Sequence, residues 1–296
     1  GVSMDLVKSL ESKYGKLTVQ MDQFKNCGVD HKRDADGTVT MGQLAYAKTL
    51  KPVDVSSRGG DETVVLGARG QSDFRSVIGG LMWLVLTMPD LAVAVGLLQT
   101  VQGKATVKDA RLANTAIQVA QASNTILVYR RMPIPDRILA CSDADHHRDG
   151  TKPRRGTVIL LDSTSNKINK SSKVGGLVHL VEFQSKTIQR VSRSSWAAEL
   201  HAMSATASSG MLVAQMIDEA YYNVQNASEM MQREVNVNMK AKVECVTDCH
   251  DLFSSVIALE MAKLAEPHLG SHLAALREDL RDGRVAALWW VDTLSM

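Results

Sequence analysis

The sequence has few cysteines and almost no net charge. Four Cys in 296 residues are too few for a disulfide scaffold, which favours a reducing, intracellular compartment, either cytoplasmic or nuclear. The 34 basic and 32 acidic side chains leave a net charge of +2, which excludes a histone-like or polybasic protein. The first ten residues lack the apolar core of a signal peptide, so no secretory leader is predicted there.

The sequence also lacks an uninterrupted apolar run of membrane-spanning length. Residues 77–98 come close, but Pro89 and Asp90 stand in the middle, where a charge costs several kcal/mol in lipid. The segment Thr87-Met88-Pro89-Asp90 instead resembles a helix start, with a capping hydroxyl, an early proline and an acid. Two buried helices in a hairpin are therefore predicted, and no membrane partner.

The remaining patterns divide the chain into four parts. These are residues 1–52, with a helix at 4–14 and strands at 17–29 and 37–41, a linker at 53–72, a helical part at 73–136, and an α/β part at 137–296. In the last part the predicted strands are 138–142, 156–161, 177–184, 243–247 and 285–291, and the helices are 195–221, 251–262 and 271–281. The order β-β-β-α-β-α-α-β predicts a mixed sheet covered by helices.

Two strands of the α/β part end in a hydroxyl residue followed by aspartate. Asp143 follows Ser142 and Asp248 follows Thr247, and the carboxyl ends of strands in α/β sheets are where ligands bind. Glu199 lies in a helix of otherwise small and apolar residues, so it is expected to face a site. Converging carboxylates suit Mg²⁺ or Mn²⁺, and two such ions can clamp the attacking and leaving oxygens of a phosphodiester.

Six segments, in order along nearly the whole chain, resemble the Pol polyprotein of copia-type LTR retrotransposons, from late reverse transcriptase into ribonuclease H. They are 36–46 (DGTVTMGQLAY, similar to DGTITLSQxxY), 74–84 (FRSVIGGLMWL, similar to YRSLIGSLLYL), 87–95 (TMPDLAVAV, similar to TRPDIAYAV), 141–145 (CSDAD, similar to YSDAD), 194–200 (SSWAAEL, similar to SSTEAEY), and 277–278 with 291–293, similar to the RE…VPT tail. Trp196 and Ala197 depart from the family's Thr-Glu, and Met88 replaces an arginine.

The resemblance implies a ribonuclease H-like α/β fold, a mixed five-stranded sheet with flanking helices. A helical thumb or connection region of the reverse transcriptase would precede it, and residues 1–52 would be the end of the polymerase palm. The family's polymerase motif YxDD would fall before Gly1 and a fourth nuclease carboxylate after Met296, both outside this chain.

The resemblance also implies an activity and its residues. Asp143, Glu199 and Asp248 match the catalytic, metal-binding carboxylates of an endonuclease that uses two Mg²⁺ (or Mn²⁺) ions. Such an enzyme hydrolyses the RNA strand of RNA–DNA hybrids. The implied partners are the hybrid and the rest of the Pol polyprotein, its polymerase palm and fingers.

The small net charge conceals an asymmetry. Residues 151–195 carry nine basic and two acidic side chains, a net charge of +7, whereas residues 196–296 carry seven basic and fourteen acidic side chains, a net charge of −7. A solvated loop is the plain interpretation of such a basic stretch, but its place between two candidate metal ligands favours phosphate binding. The predicted nucleic-acid-binding residues are Lys152, Arg154, Arg155, Lys186, Arg190 and Arg193.

Three alternatives stay open. An integrase-type nuclease also uses three carboxylates, but in the order Asp, Asp, Glu rather than Asp, Glu, Asp. A non-catalytic ribonuclease H-like connection, or a decayed transposon remnant, would bind only nucleic acid or partners. A zinc site could use Cys245, Cys249 and His250, although the spacing lacks a second ligand pair.

Several other polar residues are expected to be structural. Any single Asp after a strand is commonly a turn former, and Asp145 and Asp149 are predicted to be loop acids. The doublet His146-His147 is predicted to lie in a loop, and His201 to have a structural role.

Overall fold

Two β-sheets and the helices packed on them form the fold. The computed structural model describes residues 4–55, 61–145, 152–164, 177–222, 228–229, 231–232, 239–260, 264 and 266–292. The strands are β1 (Gln23–Asn26), β2 (Val29–Arg33), β3 (Val39–Gly42), β4 (Leu127–Tyr129), β5 (Arg137–Asp145), β6 (Arg154–Asp162), β7 (His179–Thr187), β8 (Lys242–Thr247) and β9 (Val285–Trp290). The helices are α1 (Met4–Tyr14), α2 (Leu44–Ala47), α3 (Ala68–Val85), α4 (Ala92–Thr100), α5 (Val107–Ala122), α6 (Ser195–Tyr221), α7 (His250–Ile257) and α8 (Gly270–Arg281).

The first sheet is antiparallel, in the order β1-β2-β3-β4, although β4 follows α5 in the chain. The prediction of one strand over residues 17–29 is wrong, because the chain reverses between β1 and β2. Cys27 and Gly28 have φ values of 48° and 81°, the left-handed geometry of a tight hairpin turn. Within the part predicted to be helical, residues 73–136, the last helix ends at Ala122, and β4 then pairs with β3.

Helices α3, α4 and α5 pack around one apolar core. Phe74, Ile78, Leu81 and Leu84 recur at helical spacing along α3, and all four are fully buried in this core. No helix in the described part of the chain has the length and apolar character to cross a bilayer.

The helical hairpin predicted over residues 77–98 is confirmed. A 3₁₀ turn that begins at Pro89 separates α3 from α4. The predicted capping role of Thr87 is wrong, because no side chain caps this turn at its start. The Thr87 hydroxyl lies instead 3.0 Å from the side-chain amide of Gln43, and both residues are buried.

The second sheet has the strand order β7-β6-β5-β8-β9. The pairs β7/β6 and β6/β5 are antiparallel, while β5/β8 and β8/β9 are parallel. The predicted α/β class, with a mixed five-stranded sheet and flanking helices, is confirmed. The part at 73–136 is mainly helical as predicted but also contains β4, which joins the three strands of residues 1–52. The part boundaries at 52, 72 and 136 stay predictions.

Helix α6 packs closely against the second sheet. The Thr157 and Thr206 hydroxyls, on β6 and α6, are hydrogen-bonded at 2.8 Å inside this interface. A Cβ at Gly210 would lie 3.0 Å from Val243 Cγ1 and 3.2 Å from Ala140 Cβ. Glycine at this position therefore permits the close approach of α6 to β5 and β8.

Gly210→Leu is expected to lower the free energy of unfolding by about 1–3 kcal/mol, because the new side chain overpacks this interface. Gly79→Leu is the matched control, since Gly79 is exposed on α3 and a Cβ there would meet nothing within 4 Å. Thermal unfolding followed by circular dichroism measures both variants. An equal fall in Tm for the two would contradict the close packing of α6.

Candidate active site

Backbone pairing places Asp143 and Asp248 at the same edge of the second sheet. Strands β5 and β8 are parallel neighbours, and Ser142 is the register partner of Thr247. Both hydroxyl residues are buried, and an aspartate follows each of them. The two carboxylates therefore lie side by side at the carboxyl edge, where α/β sheets bind ligands.

Helix α6 brings the third carboxylate to this edge. The helix begins after Ser194, whose hydroxyl accepts a hydrogen bond from the Ala197 amide at 3.1 Å. Glu199 follows early in α6, and its Oε1 accepts a hydrogen bond from the Ala144 amide at 3.2 Å. One oxygen from each of Glu199 and the two aspartates lies within 4.8 Å of the other two. The structure thus brings together all three carboxylates predicted from the sequence.

The electrostatics of this triad favour a bound cation. Glu199 is only 7% exposed, and its Oε2 is buried without a hydrogen-bond partner. Burial, then repulsion from Asp143 and from Asp248, raises the pKa of Glu199 to about 8. The pKa of Asp143 is also raised, by burial first and by Asp248 second. A hard divalent cation with oxygen ligands would relieve the repulsion and satisfy the buried oxygen, so the residues fit Mg²⁺ or Mn²⁺.

Asp145 follows closely after Asp143 but does not join the triad. Asp145 was predicted to be a loop acid, and that prediction is wrong, because it is the last residue of β5 and the register partner of Arg154. Asp149 and the doublet His146-His147 lie outside the described residues.

The alternative zinc site is not formed. Within the described residues, the triad is the one group of three acidic, His or Cys side chains close enough to share a metal. Cys245 is fully buried in the core between the sheet and α6, and burial raises the pKa of its thiol to about 12. The His250 ring packs edge-on against Trp290, with 5.4 Å between ring centroids.

A groove of about 680 Å³ lies along α6. We call it the basic groove, and its lining includes Arg155, Lys186, Arg190, Ser204 and Ser208. Four of the six predicted nucleic-acid-binding residues therefore line one groove, since Arg154 also belongs to its lining. Helix α6 carries both the two serines and Glu199, although no residue of the triad lines the groove.

The two remaining predicted residues lie elsewhere, and Arg154 is buried in the wall of the groove. Lys152 and Arg193 are exposed, outside the lining of the basic groove. Arg154 is only 7% exposed, and its guanidinium donates hydrogen bonds to oxygens of Gly96, Ser185 and Thr187. These protein oxygens occupy both terminal nitrogens of the guanidinium, so contact of Arg154 with phosphate stays a prediction that its burial disfavours.

Sequence reasoning missed one member of the groove. His272, on α8, lies with its ring centroid 5.1 Å from that of His201 and contacts Arg190. Burial, then the proximity of His272 and Arg190, lowers the pKa of His201 and so favours its neutral ring. Only the tertiary contact between α6 and α8 brings His272 to the groove, and no local sequence pattern indicates it.

Sequence reasoning also missed a wall of the cavity at the triad. This cavity, the carboxylate cleft, has a volume of about 640 Å³ and includes Asp143 and Asp248 in its lining. Pro89, Ala92 and Val93, at the start of α4, also line it. Their apolar side chains stand about fifty positions before Asp143 in the sequence, so no motif connects them to the site.

Comparisons with known proteins find one weak structural likeness. No family model and no curated protein matches the sequence. A crystal structure of ribonuclease H1 from the halophilic archaeon Halobacterium salinarum is similar to this chain, with 16% sequence identity and a TM-score of 0.32. The overlap covers 54% of this chain and 88% of that protein. A likeness at this level carries no functional argument, which rests on the triad and the charges around it.

The metal-free protein is expected to lose stability as the pH rises from about 4.5 to about 8. In this range the folded state keeps the proton on Glu199, whose pKa is raised to about 8 from its ordinary value of 4.5, whereas the unfolded state releases it. The expected loss exceeds about 1.4 kcal/mol, the equivalent of one pKa unit.

Denaturant unfolding in EDTA at both ends of this pH range measures the effect, with Glu199→Gln as the control. The neutral amide cannot titrate, so the pH dependence of the variant should be shallower. An equally steep dependence in Glu199→Gln would assign the effect to other groups.

Proposed function

We propose that this chain is the ribonuclease H part of a copia-type Pol polyprotein, with the preceding thumb or connection region. Its activity is the hydrolysis of the RNA strand of RNA–DNA hybrids. The observation that carries the proposal is the meeting of Asp143, Glu199 and Asp248 around a buried carboxylate oxygen with no hydrogen-bond partner. The protein partner is the rest of Pol, its polymerase palm and fingers, and the setting is intracellular.

Under this proposal the triad holds two Mg²⁺ (or Mn²⁺) ions. When bound, such ions stabilise the negative charge that develops on the attacking and leaving oxygens of the phosphodiester. The hydrogen bond from the Ala144 amide fixes Glu199 Oε1 and orients the carboxylate toward the two aspartates. Glu199 must lose the proton that burial retains before it can act as a ligand.

The basic groove supports the choice of a nucleic acid substrate. Arg155, Lys186 and Arg190 provide positive charge beside a triad that is itself anionic. Cations at this place can neutralise backbone phosphates that the triad would otherwise repel. Recognition of the RNA strand would come from its 2′-hydroxyls in the shallow minor groove of the hybrid.

Asp143→Asn and Glu199→Gln are each expected to lower Mg²⁺-dependent cleavage of a labelled RNA–DNA hybrid by at least about a hundredfold. Each removes a negative ligand from a metal site whose Lewis acidity is worth several kcal/mol. Gel analysis of the labelled RNA strand measures the rate. Asp251→Asn is the matched control, since Asp251 is exposed in the first turn of α7 and outside the triad.

The same assay separates the enzyme from the non-catalytic alternative. Hybrid binding with no cleavage by the wild-type protein, in Mg²⁺ and in Mn²⁺, would favour a binding module. Cleavage that survives Asp143→Asn would reject the triad as the active site.

Lys186→Ala and Arg190→Ala are each expected to weaken hybrid binding at low salt. Each also should reduce the slope of log affinity against log salt by about one, the value for one lost phosphate contact. Fluorescence anisotropy of a labelled hybrid in Ca²⁺ measures both quantities. Lys25→Ala, on the surface of the first sheet and paired with Asp30 at 3.3 Å, is the control and should leave the slope unchanged.

A further inference from the structure

The helical part and the second sheet are joined at strand β7, the edge strand of that sheet. The Tyr129 hydroxyl, on β4, donates a hydrogen bond to the Leu180 carbonyl at 3.0 Å. The Tyr129 ring also packs edge-on against His179, with 5.4 Å between centroids. Helix α4 contacts the same strand further along its length. The helical part therefore covers an edge strand that would otherwise expose its backbone.

Arg154 makes the hydrogen bonds at the α4 contact. Its Nη1 donates to the Gly96 carbonyl at 3.3 Å and to Thr187 Oγ1 at 3.2 Å. Its Nη2 donates to the Ser185 carbonyl at 2.9 Å and to Ser185 Oγ at 3.2 Å. One buried guanidinium on β6 thus connects α4 to β7, and its planar fork suits such multiple bonding.

Gly96 provides the space for this guanidinium. A Cβ at Gly96 would lie 2.1 Å from Arg154 Nη2 and 3.1 Å from the Ser185 carbonyl oxygen. Both distances are too short for a side chain to be accepted without movement. Glycine is unfavourable inside a helix relative to alanine, and at this position close packing with Arg154 accounts for it.

The contact of Arg154 with Gly96 also determines the shape of the carboxylate cleft. Helix α4 provides Gly96 to Arg154 and, one turn earlier, Ala92 and Val93 to the lining of the cleft. Arg154 itself lines both the cleft and the basic groove. Any shift of α4 away from β7 would therefore alter the cavity that contains Asp143 and Asp248.

We propose that Arg154 is a positioning residue, which through Gly96 fixes α4 as a wall of the carboxylate cleft and makes the helical part a section of the substrate-binding surface. The inference rests on the proposed function for its substrate, an RNA–DNA hybrid. It assigns the buried arginine to cleft geometry and leaves phosphate contact to the exposed cations of the basic groove.

The test measures kcat, KM and Tm for Mg²⁺-dependent cleavage of a labelled hybrid by the full chain. Gly96→Ala and Arg154→Met are each expected to raise KM about tenfold while kcat changes less than twofold. Arg154→Lys, which keeps a donor and the charge, should recover part of the loss. Gly79→Ala is the matched control and should keep the KM of the wild type, because a Cβ there meets nothing within 4 Å.

Two results would overturn the inference. The first is an unchanged KM in both Gly96→Ala and Arg154→Met. The second is a rise in KM that parallels a fall in Tm in every variant, including the Gly79→Ala control. That result would show only that the variants lose their fold.

Hydrogen exchange of the α4 amides separates this inference from the proposed function. If the wild-type protein cleaves no hybrid, the proposed function fails, but the positioning of α4 by Arg154 and Gly96 can still be tested. Gly96→Ala and Arg154→Met should then speed exchange in α4, and Gly79→Ala should not. Unchanged exchange rates in α4 for the first two variants would show that Arg154 and Gly96 do not position this helix.

Discussion

The parallel pairing of β5 with β8 is the constraint on which the site depends. It aligns Ser142 with Thr247 and so places the two following aspartates at one edge of the sheet. Parallel neighbours require a crossover, and the long helix α6 lies within it. Because α6 packs closely on β5 and β8 at Gly210, its first turns are held at the same edge, where Glu199 meets the aspartates.

The close approach of the three carboxylates destabilises the folded protein, and the contacts of the sheet and α6 must offset this repulsion. Three carboxylates within 4.8 Å repel one another, and burial of Glu199 adds to the cost. The backbone pairing of β5 with β8 and the close packing of α6 on both strands hold the three carboxylates together despite this repulsion. A divalent cation would convert this repulsion into binding free energy, which is why a site of this kind is selective for a hard cation over a neutral ligand.

The sequence predicted the parts of the site that depend on local pattern. Asp143 and Asp248 follow apolar, β-forming runs, and Glu199 stands out among small and apolar neighbours on its helix. Arg154 could not be assigned in this way, because its partners are 58 and 31 positions away and two of them are backbone carbonyls. The β1–β2 hairpin was missed for a different reason: its turn depends on the left-handed conformation of Cys27, a residue that rarely marks turns.

The basic stretch of the sequence therefore has two physical roles rather than one. Arg154, buried and bonded to protein oxygens, joins α4 to β7, while Arg155 and Lys186 on the same two strands line the basic groove. On the proposed function, the exposed cations would hold backbone phosphates of the hybrid, whereas the buried guanidinium would hold α4 as a wall of the carboxylate cleft. Burial and bonding partners, and not position in the sequence, therefore decide which role each cation of the basic stretch can have.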